Sequence, residues 1–384
     1  MAQPVSGINP TILKWARERA GYSIEQAADL VGKAPGILIS WESGDASPTY
    51  VQLETLAYKI YKRPIALFFF PAPPDEPEPA QEFRTLPDFE IDDLRPDTRL
   101  KVRQALALQI SLSELSNGAN PADRLITRDI EIDPRRSPAG AAREVRDHLG
   151  VTSAKQTSWK TMDEALKSWR TAVEGAGIFI FKDTFKQREV SGFSLLDDEF
   201  PLIFVNNSTS KSRQIFTILH ELAHLLVHTG GMTLRDDTFI TALHGEDRQI
   251  EVFCNAFAAH VLLPDSDFKK QDLSTDDSNI LRLARRYKVS REVILRRLLD
   301  LGLVSQKAYA KKASQWAQDY FDNAPEEGGN YYLTQAAYLS DRYMQMAFGN
   351  YYQGRISLEQ LAGYLNVKAS NVAGLEQIVV ERFR

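Results

Sequence analysis

Residues 216–228 read FTILHELAHLLVH, an apolar helical run with polar groups at its centre. His220 and His224 lie four positions apart, so both imidazoles share one helix face, and Glu221 is turned about 100° further round. Burying these groups costs free energy unless they are paired or bind a metal. Metal-free core histidines are the alternative interpretation. The spacing favours a zinc site, with His220 and His224 as ligands and Glu221 as the base that activates water.

A catalytic zinc ion usually has three protein ligands and one open position, so a third ligand is expected downstream. Glu251 is the best candidate, because it begins a second helical run, EVFCNAFAAHVLLP. Asn255 shares its face one turn later, which places the amide beside the ligands. Small residues in this run permit close helix packing: Ala256, Ala258 and Ala259. His228 is the competing ligand, but it lies a full turn beyond His224.

Other polar residues near the motif are candidates for binding the reacting groups. His260, His244 and Asn207 are candidates for stabilising the oxyanion, and each has an alternative role as an ordinary satisfied polar group. The stretches 177–181, 192–196 and 201–205 are rich in β-branched and aromatic residues and predict a small antiparallel sheet before the motif. A substrate strand is expected to pair with the edge of that sheet near residues 203–206.

HELAHLLVH followed by ExxxNxFAAxxLLP resembles the ImmA/IrrE family of metallopeptidases, and the resemblance covers roughly residues 175–264. It implies a zincin-like endopeptidase with Zn²⁺ on His220, His224 and Glu251 and with Glu221 as general base. It also implies a protein substrate in gene or stress control, such as a repressor. Cys254 stands where family members more often carry alanine.

Residues 10–60 predict short helices separated by glycines, and SWESG with the downstream SPT resembles the Cro/repressor-type helix-turn-helix domains often joined to such peptidases. The second helix of that unit, residues 34–43, is expected to present mostly apolar side chains, so Lys33 and Ser40 are the nearby candidates for nucleic-acid contacts. Up to Pro64, seven basic residues oppose six acidic ones. The domain is therefore expected to bind DNA weakly, or to contact protein instead.

Three segments resemble the first helix and turn of a helix-turn-helix unit: SIEQAADLVGK, NILRLARRYKVS and SLEQLAGYLNVK. Simple helical hairpins are the alternative for the last two. The second segment continues into a basic run with one acid, Glu292, and this run predicts a phosphate-binding surface that includes Arg291, Arg296 and Arg297. A solvated charged face is the alternative interpretation.

The predicted architecture is α+β and mainly helical. It comprises a four- or five-helix helix-turn-helix domain over residues 1–70, a proline-rich linker over 71–80, a zincin-like peptidase domain with a helical lead-in over 81–264, and a C-terminal helical region over 265–384. Hydrophobic residues at 43% and charged residues at 25% are typical of folded proteins, which argues against a largely disordered chain.

Composition also limits the partners and the location of the chain. A net charge of -5 gives no global attraction to phosphate, and one cysteine excludes an intramolecular disulfide. Because the sequence shows neither a signal peptide nor an apolar span, we expect a cytoplasmic protein without membrane contact that is able to form homo-oligomers. The rival hypothesis is a DNA-binding regulator or antitoxin whose peptidase fold senses or binds and does not cut.

Overall fold

The chain forms two compact units, Met1–Gln104 and Ala105–Arg384. The computed structural model describes residues 3–75, 94–187, 189–229, 231–234, 245–322 and 330–382. Helices dominate both units and a small sheet lies in the second, which confirms the predicted fold class. Most of the expected linker, residues 76–80, and the start of the peptidase lead-in lie outside the described residues. Among the described helices, none is both long and apolar enough to span a bilayer.

Short helices with glycine stops build the first unit. Gly21 and Gly44 take left-handed conformations, which end the helices before them. A buried pair ties the first helix to the third, because Arg17 donates to both carboxylate oxygens of Glu42 at 2.8 and 3.0 Å. The elements are α1 (Pro10–Ala20), α2 (Ile24–Leu30), α3 (Pro35–Ser43), α4 (Tyr50–Glu54) with a π-helical continuation (Thr55–Tyr61), a 3-10 turn (Ile65–Phe69) and α5 (Pro96–Leu115), which continues into the second unit.

Helices also make up most of the second unit, with a four-stranded sheet among them. The helices before the sheet are α6 (Ile126–Asp129), α7 (Pro138–Leu149), α8 (Ser153–Ser158) and α9 (Met162–Gly175). The strands are β1 (Phe179–Asp183), β2 (Val190–Leu195), β3 (Leu202–Asn206) and β4 (Gly231–Leu234), and α10 (Lys211–Leu226) lies between β3 and β4. The helices after the sheet are α11 (Gly245–Leu262), α12 (Asp265–Phe268), α13 (Asp277–Tyr287), α14 (Arg291–Asp300), α15 (Gln306–Asp322), α16 (Tyr331–Leu339), α17 (Asp341–Tyr352), α18 (Leu358–Tyr364), a 3-10 turn (Ala369–Asn371) and α19 (Val372–Arg382).

The sheet has the strand order β1-β3-β2-β4. The pairs β2–β3 and β2–β4 are antiparallel, as expected, whereas β1 runs parallel to β3. A short turn joins β2 and β3, which therefore pair as an antiparallel hairpin. β1 pairs with the other side of β3 and runs in the same direction as that strand. The central place of β3 also shows that the expected substrate edge at residues 203–206 is wrong, since both sides of that strand are already paired.

One face of the sheet packs against α10 and contains the larger core. Gly192 pairs with Val205 and Ser194 pairs with Ile203, so these four residues share that face. Gly192 allows α10 to approach closely, because a Cβ at this position would lie 2.6 Å from Cγ2 of Thr217 and 2.7 Å from the carbonyl oxygen of Phe204. Helices α7, α9, α11, α13 and α14 contribute apolar side chains to the same core.

The opposite face carries aromatic side chains and is covered by the C-terminal helices. Phe193 and Phe204 stack at 5.3 Å on this face. Phe181 of β1 meets Tyr343 of α17 edge-to-face at 5.2 Å. Arg170 of α9 donates to the carbonyl of Ala337 in α16 at 2.6 Å. The C-terminal helices are therefore part of the same packed unit as the sheet.

The three segments that resemble a helix-turn-helix share one backbone geometry, but the turns at Gly21 and Gly150 have it too, so it does not distinguish a helix-turn-helix from a helical hairpin. A left-handed residue follows each first helix within two positions, and the N-cap of the next helical segment lies two positions after it. An amide just after the left-handed residue donates back into the first helix at 2.9–3.0 Å in all three. The left-handed residues are Gly32, Lys288 and Asn366, and the N-caps are Ala34, Ser290 and Lys368.

We predict that Gly192→Ala lowers the stability of the second unit by about 1–3 kcal/mol, because the added methyl group forces α10 away from β2. Gly349 in α17 is the matched control, since a Cβ there meets nothing within 4 Å. Gly349→Ala is expected to stabilise the helix by about 0.5–1 kcal/mol. Thermal unfolding of the full chain measures both changes. Equal melting temperatures for the Gly192 variant and the parent would contradict the close approach of α10 to the sheet.

Candidate metal centre

The helix α10 begins at Ser210, whose hydroxyl accepts a hydrogen bond from the amide of Arg213, and it is buried along most of its length. It places His220, Glu221 and His224 in the interior, where each is at most 2% exposed. Such burial requires partners for every polar atom. The surroundings of these three side chains therefore show what the site can bind.

The structure brings the predicted third ligand to the two histidines. Helix α11 packs against α10 and places the Glu251 carboxylate beside both imidazoles. His224 Nε2 lies 2.9 Å from Oε1 of Glu251, and His220 Nε2 lies 3.4 Å from Oε2. The two Nε2 atoms are 3.0 Å apart. Three potential ligand atoms thus face one another in a buried pocket.

The other nitrogen of each imidazole has an oxygen partner. Nδ1 of His220 lies 3.0 Å from Oδ1 of Asn255. Nδ1 of His224 lies 3.3 Å from the hydroxyl of Thr229, which itself donates to the carbonyl of His224. Both Nδ1 atoms are therefore placed to donate a proton to these oxygens, which leaves both Nε2 atoms facing the carboxylate. An Nε2 atom in this position must carry a proton or bind a metal ion.

The electrostatics of the pocket favour the same conclusion. Burial lowers the pKa of His224, but the charge of the Glu251 carboxylate and its hydrogen bond oppose this effect, and the pKa lies well above its ordinary value. Burial also opposes ionisation of Glu251, yet the imidazoles of His224 and His220 hold its carboxyl pKa well below the usual range. The pocket therefore stabilises positive charge beside the carboxylate, which a proton or a metal ion can supply.

The donor set fits a small divalent metal. In a tetrahedral site with bonds of about 2.1 Å, ligand atoms lie about 3.4 Å apart. The two Nε2 atoms are 3.0 Å apart, and they lie 2.9 Å from Oε1 and 3.4 Å from Oε2 of Glu251, so all of these atoms are close enough to bind one ion. In addition, Oε2 of Glu251 is buried without a hydrogen bond. Two imidazoles and a carboxylate form a donor set that zinc binds in proteins.

Glu221, the remaining polar residue of the motif, is hydrogen-bonded to the sheet. The hydroxyl of Ser194 in β2 donates to Oε2 of Glu221 at 2.7 Å, and both side chains are fully buried. Among the described residues, the cluster of potential ligands comprises His220, His224 and Glu251 without Glu221. Glu221 therefore follows the first of these residues in the chain and stands outside the ligand cluster.

The competing candidates lie elsewhere. His228 is exposed and takes a left-handed conformation just after α10, outside the ligand cluster. His260 contacts Asp265 and Arg297 at the far end of α11, and burial lowers its pKa to about 4. The backbone N–H of Asn207 donates to the carbonyl of Asp183 beyond the end of β3. His244 lies outside the described residues.

Cys254 is buried next to the ligands, where burial raises the pKa of its thiol. The thiol is therefore neutral at physiological pH and behaves as a small hydrophobic group. The anion that faces His224 is accordingly Glu251.

The predicted phosphate-binding surface on α14 is wrong for Arg297, because that guanidinium is 2% exposed and bonds to Asp265. The other two arginines lie against aromatic rings of α15, with Arg291 4.6 Å from the Trp316 centroid and Arg296 5.4 Å from the Tyr309 centroid. Helix α15 thus packs on α14, the second helix of this unit. These three arginines of α14 are therefore held by contacts with other elements, whereas Arg282, Arg285 and Arg286 of α13 are exposed.

The nucleic-acid candidates in the first unit lie at its surface. Lys33 is exposed, whereas the hydroxyl of Ser40 is half-buried and donates to the carbonyl of Ile37 at 2.7 Å. Ile37 and Ile39 are 43% and 54% exposed. The second helix of this unit therefore presents apolar side chains, as the sequence predicts.

Sequence reasoning missed Ser194 and Thr229. Both contacts join residues through the packing of α10 against β2 or through the turn after α10, and neither pattern appears in the motif. The one available signal was a serine in the apolar strand GFSLL, on the face that the predicted pleat turns towards the helix.

Comparison with known proteins agrees with this organisation. Residues 173–299 match the family described as IrrE N-terminal-like domain, and residues 13–57 match the helix-turn-helix family. The radiation response metalloprotease IrrE of Deinococcus deserti is 35% identical over 74 residues. That match covers 18% of this chain and 24% of the relative, so the chain spans about a quarter of that protein's length. This part of the chain is therefore similar to a domain found in a metalloprotease.

We predict that the purified chain carries one zinc ion and that Glu251→Ala loses it, because a buried anionic ligand is removed. The loss of affinity should exceed the ~10–100-fold that removal of an outer hydrogen-bond partner costs. Glu246→Ala is the matched control, since Glu246 is exposed on the same helix and lies outside the ligand cluster. Metal analysis and chelator competition measure the affinity. Firm zinc retention by the Glu251 variant would show that this carboxylate is not a ligand.

Proposed function

We propose that this chain, which joins an ImmA/IrrE-type peptidase domain to a helix-turn-helix domain, is a zinc-dependent endopeptidase that cleaves a regulatory protein. The observation that carries the proposal is the buried convergence of His220, His224 and Glu251 beside the carboxylate of Glu221. Two buried imidazoles whose Nε2 atoms face one carboxylate form a donor set that zinc binds in proteins.

The proposed reaction is hydrolysis of a peptide bond. Bound Zn²⁺ would polarise the scissile carbonyl and lower the pKa of water. Glu221 takes a proton from the attacking water, whose oxygen bonds to the carbonyl carbon, and passes that proton to the nitrogen as the carbon–nitrogen bond breaks. Asn255 and Thr229 keep the two imidazoles oriented, with Nδ1 protonated and Nε2 directed inwards.

We place the substrate at the outer side of β4, since β3 is paired on both sides. Within the described residues β4 pairs with β2 alone, and it follows α10 directly in the chain. An extended substrate segment can add to such an edge through backbone hydrogen bonds, which would hold it next to the metal-binding helix. Backbone pairing is indifferent to sequence, so the choice of substrate must come from side-chain contacts or from a second domain.

The helix-turn-helix unit supports the second candidate function, a DNA-binding regulator or antitoxin whose peptidase domain senses or binds. The match to residues 13–57 favours it. The two candidates differ in what inactivation of Glu221 does. A peptidase loses its biological effect with that residue, whereas a sensor that does not cut retains it.

We predict that Glu221→Gln retains zinc and loses proteolysis by about 10²-fold or more, because an amide cannot accept the proton of water. The test incubates the zinc-loaded parent and the variant with each protein encoded beside its gene and looks for fragments. Cleavage by the variant at the parental rate would remove Glu221 from the mechanism. An unchanged biological effect without any cleavage would favour the regulator.

We also predict that the first unit contributes weak DNA binding, because the exposed positions of α3 carry Gly36, Ile37 and Ile39 in place of base-reading side chains. Binding of the full chain to DNA upstream of its own gene should be no tighter than the ~10⁻⁴–10⁻⁶ M of non-specific association at physiological salt. Affinities measured at two salt concentrations check this. Nanomolar, sequence-selective binding that Lys33→Glu abolishes would contradict it.

A further inference from the structure

The carboxylate of Glu221 accepts a hydrogen bond from a residue outside the two helices that carry the metal ligands. Ser194 lies in β2 and its hydroxyl donates to Oε2 of Glu221 at 2.7 Å. Both side chains are 0% exposed, so the hydrogen bond is shielded from bulk solvent. The carboxylate therefore has a fixed partner that belongs to the sheet.

The position of this contact follows from the match between strand and helix spacing. Gly192 faces Thr217, and two residues further along β2 Ser194 faces Glu221, which is four residues beyond Thr217. Two residues of a strand span about 6.8 Å, and four residues of a helix span about 6 Å. The two contacts are therefore successive steps along one strand–helix seam, and the close approach at Gly192 brings the serine within reach of the carboxylate.

The backbone of Ser194 is held on both sides. It pairs with Ile203 of β3 and with Gly231 of β4, so the residue lies in an interior strand of the sheet. A serine side chain has one rotatable bond before its oxygen. A hydroxyl on such a backbone can fix the rotation of a carboxylate more strongly than a group on a loop.

Stability alone does not account for this pair. In a buried seam, two apolar side chains would avoid the cost of desolvating a hydroxyl and a carboxylate. At the neighbouring step of the seam, the hydroxyl of Thr217 beside Gly192 is buried without a hydrogen bond. The hydrogen-bonded step coincides with the residue that follows the first metal ligand.

We propose that Ser194 is a positioning residue for Glu221: it orients the carboxylate so that the general base meets the attacking water in one geometry. The inference rests on the proposed peptidase function. It concerns the orientation of the Glu221 carboxylate and not the affinity for the metal, because the hydroxyl of Ser194 donates to Glu221 and not to one of the three ligands.

The test compares Ser194→Ala, Ser194→Thr and Ser191→Ala in the full, zinc-loaded chain with fluorescein-labelled casein as substrate. Ser191 is the matched control, since it is a fully buried serine of the same strand that accepts a hydrogen bond from Arg213. Ser194→Ala should lower kcat by about 10-fold, a part of the 10²–10⁴-fold that a general base provides, with KM and zinc content unchanged. Ser194→Thr should recover most of kcat because it restores the hydroxyl, and Ser191→Ala should match the parent.

A kcat for Ser194→Ala within twofold of the parent would overturn the proposal, and so would an equal fall in Ser191→Ala or a fall explained by lost zinc. If the parent does not cleave casein, the Co²⁺-loaded chains decide. The visible absorption of Co²⁺ depends on the groups around the ion, so Glu221→Gln and Ser194→Ala should both shift it at one fixed pH. A shift in Glu221→Gln alone overturns the role of Ser194, and no shift in either variant overturns the proposed function together with it.

Discussion

The structure of the second unit depends on one interaction, the burial of Glu251 against His220 and His224 between two packed helices. Three groups that would each prefer water are placed within bonding distance of one another, and their lone pairs leave room for a cation. The surrounding packing is arranged to make this tolerable. Asn255 and Thr229 orient the imidazoles, and the close contact of α10 with β2 keeps the helix in place. The free-energy cost of burying these three groups is offset only when a positive charge is present among them.

Much of this site could be predicted from the sequence because its spacing is a helical property. His220, Glu221 and His224 fall on neighbouring faces of one helix, and Glu251 and Asn255 share a face of another. The partners supplied by tertiary packing could not be predicted in that way. Ser194 reaches Glu221 only because the strand order places β2 above α10, and no local pattern encodes that order. The parallel pairing of β1 could not be predicted for the same reason, because it depends on which side of the β2–β3 hairpin the earlier strand joins.

The arginines of α14 show the limit of reading charge from sequence. A run of basic residues predicts a phosphate-binding face only if solvent reaches it. Here Arg297 is neutralised by Asp265 in the interior, and the rings of α15 take up Arg291 and Arg296. The backbone of this unit has the same left-handed turn as the first helix-turn-helix, yet its second helix is covered. Shared geometry therefore does not establish shared function, and the exposure of the second helix has to be known as well.

The most direct test of the account is X-ray absorption at the zinc edge on the full chain. It reports the elements bound to the ion and their distances, independently of any substrate. We predict two imidazole nitrogens at about 2.0–2.1 Å together with oxygen ligands, and no sulfur. A sulfur ligand at about 2.3 Å would assign the metal to Cys254, and a shell without imidazole would remove it from His220 and His224. Either result would contradict the central claim.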